Sequence, residues 1–179
     1  MRLSIKKRAA RVEVVVFDVD GVLTRGDIVY GPGGEWKVFN VHDGHGFKLA
    51  VRGGLKLALI TGRTSESVVR RARELEVDVL MDGVKRKNLA IRELCKKMSV
   101  KPESVCFVGD DVVDLPAMAA VGFPVAVANA VEEVRDQAAW ITTRRGGEGA
   151  AREVIELILK SKGLWANVLK RYVGGFDEE

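Results

Sequence analysis

Residues 14–24 read Val-Val-Val-Phe-Asp-Val-Asp-Gly-Val-Leu-Thr, and no other stretch of the chain restricts its fold as much. A short, continuous β-branched and aromatic run predicts a strand buried on both faces, as in the middle of a parallel sheet. Two aspartates at i and i+2 close that strand, and Gly21 turns the chain straight after them. Unpaired charge at the end of a buried strand is costly, so Asp18 and Asp20 require a cation, a donor network or a charged ligand. An Asx turn would account for one aspartate. The pair, followed by Gly21 and Thr24, asks for more.

Further short apolar runs follow at Leu55 to Ile60, Val77 to Met81, Val105 to Val108 and Phe123 to Val127. Helical periodicity fills the gaps at Asp43 to Arg52, Ser65 to Leu75, Lys85 to Met98 and from Asp114 onward. This alternation predicts an α/β fold with a doubly wound, Rossmann-like parallel sheet. Such sheets bind ligands outside the carboxyl ends of their strands. The polar clusters sit there: Asp18 and Asp20 after the first strand, Thr61-Gly62-Arg63 after the second, Gly109-Asp110-Asp111 after the fourth. Trp140 to Thr142 reads as an edge strand and Ala150 to Leu159 as a helix. The Gly146-Gly147-Glu148-Gly149 loop before that helix is either a flexible entry or a row of amides for an anion.

Asp27 to Tyr30 and Glu35 to Val41 are extended runs around Gly31-Pro32-Gly33-Gly34. They predict a β-hairpin insertion over about residues 25–41, where a simple βαβ unit would place a helix. The Gly-rich turn lacks G-x-G-x-x-G spacing, so it does not read as a dinucleotide loop. At 179 residues the chain reads as one domain, 1–179, with a tail over about 163–179. Trp165, Leu169 and Tyr172 in that tail are expected to dock on the body or on a neighbouring subunit, before the chain frays through Gly174-Gly175.

A content of 47% hydrophobic and 30% charged residues is that of a globular protein. Glu13 and Asp18 interrupt the apolar run behind the basic N-terminal residues, and no stretch is long enough to cross a bilayer. A cytoplasmic protein without a membrane partner is expected. The net charge of +4 is dispersed and aromatics are few, which argues against nucleic acid and for a small anionic substrate. Cys95 and Cys106 lack metal spacing and read as buried thiols in a reducing compartment.

Asp18, Asp20 and Asp110 are expected on one rim. At ~4 Å and an effective dielectric near ~20, each like-charge pair repels by roughly 4 kcal/mol. A divalent cation removes the conflict, and an all-oxygen set suits Mg²⁺. His42 and His45 stand at i and i+3 without a third ligand, so they do not form a metal site. With the Thr61 hydroxyl and the Lys87 charge, the acids compose a phosphoryl-transfer site.

The segments FDVDGVLT at 17–24, Thr61-Gly62-Arg63, Lys87 and GDDVVD at 109–114 resemble the four ordered motifs of the haloacid dehalogenase superfamily phosphatases. The hairpin, FNVHDGHG at 39–46, GDDVVDLPAM at 109–118, VAVANA at 125–130 and GGEGAARE at 146–153 extend the likeness. Together they resemble one family within it, the 3-deoxy-D-manno-octulosonate 8-phosphate phosphatases, from about Val14 to Lys162. The resemblance implies Asp18 as the nucleophile, Asp20 as general acid and then base, and Thr61 and Lys87 as binders of the phosphoryl group. It implies Mg²⁺ held by the Asp18 carboxylate, the Asp20 backbone carbonyl and Asp110, with Asp111 and Asp114 in support. It also places the sugar acid against Asn40, Val41, His42, Asp43, Gly44, Lys48, Arg63 and Arg71. By the same resemblance, the hairpin is expected to stand in for a cap domain and to pack into a homotetramer whose neighbours close the pocket.

Arg25 and His42 stand where that family commonly has Asp and Arg, and Lys48 replaces an Arg of some members. Losing a forked guanidinium at a carboxylate-binding position changes geometry even where charge survives. Two other readings therefore stay open: a phosphatase for a related sugar phosphate such as a sialic-type acid 9-phosphate, and a non-catalytic tetramerisation or binding module of the same fold.

Overall fold

The computed structural model describes residues 4–173. Ser4 caps a short helix, α1 (Ile5–Ala10), by accepting from the Lys7 amide. The chain then enters β1 (Val14–Phe17), whose four residues are all buried, as a β-branched run without polar alternation requires. The antiparallel hairpin β2 (Val29–Gly31) and β3 (Gly34–Trp36) stands apart as its own two-stranded sheet. After it come α2 (Val41–Arg52), β4 (Lys56–Ile60), α3 (Glu66–Glu74), β5 (Val79–Met81), α4 (Lys87–Met98) and β6 (Val105–Gly109). A 3₁₀ turn over Val112–Asp114 leads into α5 (Leu115–Met118). The remaining elements are β7 (Phe123–Ala126), α6 (Glu132–Gln137), β8 (Trp140–Ile141), α7 (Ala150–Ser161) and α8 (Trp165–Val173).

Six strands form one parallel sheet in the order β5-β4-β1-β6-β7-β8. Val16 of β1 lies between Ala58 of β4 and Phe107 of β6. The chain winds outward from β1 through β4 and β5, then crosses back to β6 on the other side. The boundary between β1 and β6 is therefore the switch point, where a crevice opens beyond the strand ends. Helices cover both faces of the sheet, and the doubly wound α/β expectation holds.

The core is continuous across the sheet. Phe17 packs on Phe47 of α2 with ring centroids 5.0 Å apart, and Leu57, Leu59, Ile91, Phe107, Phe123 and Ile155 are fully enclosed. Each such side chain stabilises the fold by about 1.5–3 kcal/mol relative to exposure. On α8, Val168 is buried, while Trp165 lies under the charges of Arg152 and Lys160 at 5.7 and 4.8 Å. The expected docking of the tail on the body is seen at Trp165, Val168 and Tyr172, the last lying against Arg52 and His45. The expected fraying at Gly174-Gly175 lies outside the described residues.

Several boundaries differ from the expectations. The second hairpin strand ends at Trp36 rather than Val41, and the following helix starts at Val41 rather than Asp43. Asn40 is the cause: its Oδ1 accepts from the His42 and Asp43 amides and pulls the first turn of α2 back. His42 thus stands on a helix and not at a hairpin end. Helices α1 and α6 were not expected. Each spans six residues with a single buried position, Ala9 and Val134, too short to carry a periodic apolar stripe.

Candidate active site

Asp18 is the first residue past β1, and its amide still donates to the Val108 carbonyl of β6 at 3.0 Å. The ladder therefore fixes Asp18 at the switch point. Asp110 follows β6 directly. Asp114, fully buried, accepts from the Asp110 amide at 3.0 Å through Oδ2 and from Lys87 Nζ at 2.6 Å through Oδ1. Lys87, the first residue of α4 and itself buried, also donates to Asp18 Oδ1 at 2.7 Å. Asp111 accepts from the Val112 amide and closes a capping box with Asp114. Both residues thus support the site by shaping the turn that carries Asp110.

One carboxylate oxygen each from Asp18, Asp110 and Asp114 lies within 4.8 Å of the others. Burial raises the Asp18 carboxyl to about 6, the neighbouring Lys87 charge working against the rise. Burial and then the Asp18 and Asp114 charges raise Asp110 to about 8. Lys87 is held above its ordinary value, because the two aspartates outweigh its own desolvation. Whether a cation fits can be read from the donors. All are hard carboxylate oxygens, the set Mg²⁺ prefers. Asp114 already accepts on both oxygens, whereas no hydrogen bond engages the Asp110 carboxylate among the described residues. Gly21, at φ +90°, makes room for that carboxylate, since a Cβ there would overlap Asp110 Oδ2. The residues fit Mg²⁺, with Asp18 and Asp110 offering free lone pairs.

Thr61 lies just beyond β4, where its amide donates to Met81 and its carbonyl accepts from Val84, both at 3.0 Å. Its hydroxyl oxygen accepts only a long bond from the Arg63 amide, 3.4 Å, which leaves the hydroxyl proton for a ligand. Asp18, Asp20, Thr61, Arg63, Lys87 and Asp110 line one cavity of about 320 Å³. Two carboxylates close enough to share a cation, a hydroxyl donor and a buried lysine around one cavity form a set that can bind and transfer a phosphoryl group.

The Asp20 carboxylate is turned away from the other acids and toward the hairpin. Its Oδ1 accepts from Lys37, and Arg63 Nε lies 4.0 Å from its Oδ2. Glu35 pairs with both Lys37, at 2.8 Å, and Arg63. Sequence reasoning missed Glu35 and Lys37. The available signal was their i, i+2 spacing, which puts two opposite charges on one face of a run whose other face carries Trp36 and Val38.

Of the eight residues expected against a sugar acid, the structure brings only Arg63 into this cavity. Asn40 caps α2. The buried Asp43 caps α7, accepting from the Gly149 and Arg152 amides at 3.1 and 2.8 Å. Arg71 lies over the Phe39 ring at 5.6 Å and fills the space above Gly44. Lys48 pairs with Glu76 on the surface at 2.5 Å, Val41 is 76% exposed, and His42 lines a separate cavity beside Arg152. The glycine loop also resolves. The Gly146, Gly147 and Gly149 amides bond to Asn129, Val22 and Asp43. A Cβ on Gly146 or Gly147 would strike the backbone of residues 21–25. Gly146 and Gly147 serve close backbone packing behind the site, and the amides of all three glycines are engaged within the chain rather than turned to an anion.

Comparison with known proteins finds relatives of the same fold. Residues 78–154 match the haloacid dehalogenase-like hydrolase family. The 3-deoxy-D-manno-octulosonate 8-phosphate phosphatase KdsC of Escherichia coli K12 is 40% identical over 157 residues, 87% of this chain and 84% of that protein. The crystal structure of 3-deoxy-D-manno-octulosonate 8-phosphate phosphatase from Moraxella catarrhalis, in complex with magnesium ion, phosphate ion and KDO, superposes with a TM-score of 0.89 at 39% identity. The match covers 93% of this chain and 97% of that one. A cobalt-bound deoxy-D-mannose-octulosonate 8-phosphate phosphatase from Haemophilus influenzae gives 0.85 at 37% identity, covering 87% and 92%. On its fold, its ordered acidic motifs and this likeness, the chain belongs to the haloacid dehalogenase-like hydrolases, in the family of the 3-deoxy-D-manno-octulosonate 8-phosphate phosphatases.

Proposed function

We propose that the protein is a Mg²⁺-dependent phosphomonoesterase that hydrolyses 3-deoxy-D-manno-octulosonate 8-phosphate to the free sugar acid and phosphate. The observation that carries this reading is the meeting of Asp18, Thr61, Lys87 and Asp110, from four separate segments, around one cavity. A relative with magnesium, phosphate and KDO bound supports the substrate class.

Asp18 attacks phosphorus through Oδ2, the oxygen that Lys87 does not engage. The bond from phosphorus to the sugar oxygen breaks, and Asp20 gives its proton to the departing alkoxide. Asp20, now a carboxylate, takes a proton from water as that water attacks phosphorus and the Asp18 acyl-phosphate bond breaks. Lys87 and the Thr61 hydroxyl meet the charge that builds on the phosphoryl oxygens. Bound Mg²⁺ would neutralise phosphoryl charge, held by the Asp18 and Asp110 carboxylates and the Asp20 backbone carbonyl.

Phosphate release from a panel of sugar phosphates, with Mg²⁺ and with chelator, tests the reading. The highest kcat/KM is expected for the eight-carbon acid 8-phosphate, with turnover abolished by chelator. Preference for a sialic-type 9-phosphate would move the substrate assignment, and no turnover of any member would leave a non-catalytic module.

The same reading makes the protein a cytoplasmic homotetramer. In its support, Val29, Trp36 and Val38 on one side of the hairpin are 40%, 52% and 76% exposed, and Val41 at the start of α2 is 76% exposed, apolar surface suited to a second copy. Val41 and His42 would then wall a neighbouring copy's pocket. No helix among the described residues is long and apolar enough to cross a membrane.

A further inference from the structure

Lys37 is the buried cation that the proposed reaction leaves without a task. Its side chain is only 2% exposed, although it lies at the end of a hairpin whose other side faces solvent. It donates to Asp20 Oδ1 and pairs with Glu35, Glu35 pairs with Arg63, and Arg63 approaches Asp20 Oδ2. With Asp20 in its carboxylate state, the one that takes a proton from water in the second half of the proposed reaction, these four residues close a ring of alternating charge. The ring ties the hairpin to the loop after β1 and to the loop after β4. Fully enclosing a lysine is costly unless acceptors are supplied from fixed positions. Here they come from two separate segments of the same chain.

We infer that Lys37, braced by Glu35, is the positioning residue for Asp20: the hairpin holds the proton-transfer carboxylate at the cavity rim. The inference rests on the role proposed above for Asp20. Asp20 stands on a loop two residues past Asp18, and its side chain needs an external tether to keep one rotamer. Lys37 supplies that tether, and Glu35 fixes Lys37 in turn. Arg63, shared between Glu35 and Asp20, joins the tether to the wall of the cavity that it lines. In this arrangement the chain's own hairpin, rather than a second copy, completes the proton-transfer machinery.

The test is steady-state kinetics of Lys37→Met, Lys37→Arg, Glu35→Gln, Asp20→Asn and the double variant Lys37→Met/Asp20→Asn, each checked for folding by its thermal midpoint. General acid–base groups are worth on the order of 10²–10⁴ in rate, and loss of their orientation forfeits part of that. Lys37→Met is expected to lower kcat about 10–100-fold with KM little changed. Lys37→Arg should recover most of kcat, and Glu35→Gln should fall between. In the Asp20→Asn background, Lys37→Met should cause no further loss, because the lysine acts through that carboxylate. A loss that multiplies onto Asp20→Asn, or one confined to KM, would overturn the inference. Asp18→Asn is the separate control. If that variant turns over at the wild-type rate, the proposed chemistry fails, whatever Lys37 does.

Discussion

Two carboxyl groups set the behaviour of the site at the level of single residues. Asp18 and Asp110 hold their protons to about 6 and about 8, well above the ordinary 3.8, because they are buried beside other acids. An acid that binds its proton more tightly in the folded chain than in the unfolded one favours the fold at low pH. That contribution is lost as pH rises from the unfolded value through the folded one. For these two groups the window runs from about pH 4 to about pH 8. A divalent cation that binds the ionised acids offsets the loss by mass action. The rise in melting temperature on adding Mg²⁺ should therefore be larger at pH 8 than at pH 5. Melts with chelator and with excess Mg²⁺ at both values check this, and equal shifts would detach the two acids from the metal. Asp18, Asp20, Thr61, Lys87 and Asp110 were legible in the sequence because each follows a strand or opens a helix in a recognisable order. Lys37 was not, because its meaning depends on where the hairpin folds back.

Helix termini carry the second level of organisation. The Asp43 side chain sits in the first turn of α2 and satisfies amides at the start of α7, so one carboxylate joins two helices that pack side by side. Its expected place against a sugar acid came from motif position, whereas the cap on α7 is a tertiary contact that position does not reveal. Asp43→Ala leaves those amides without their acceptor and should cost about 1–2 kcal/mol. For a domain of this size that is about 3–6 °C in melting temperature, measured by scanning calorimetry. An unchanged midpoint would show that the amides find another partner. The Gly146–Gly149 loop teaches the same lesson. Its composition allowed an anion site, while the close approach to residues 21–25 that uses the glycines is a tertiary fact.

For the molecule as a whole, the strand order β5-β4-β1-β6-β7-β8 brings Asp18 and Asp110 together across the switch point, though they are far apart in sequence. Alternating apolar runs were enough to read that architecture. The short helices α1 and α6 escaped because tertiary packing, not periodicity, holds them. The apolar hairpin face predicts assembly: light scattering on the eluting peak should give four chains per particle, and a monomer would leave that face without a partner. The account depends most on Asp18 becoming phosphorylated. Acid quenching of the enzyme during turnover with Mg²⁺, followed by mass spectrometry of the tryptic peptide spanning residues 12–25, measures this directly. The expected result is one phosphoryl group on Asp18. Steady turnover without any phosphorylated form of that peptide would contradict the account.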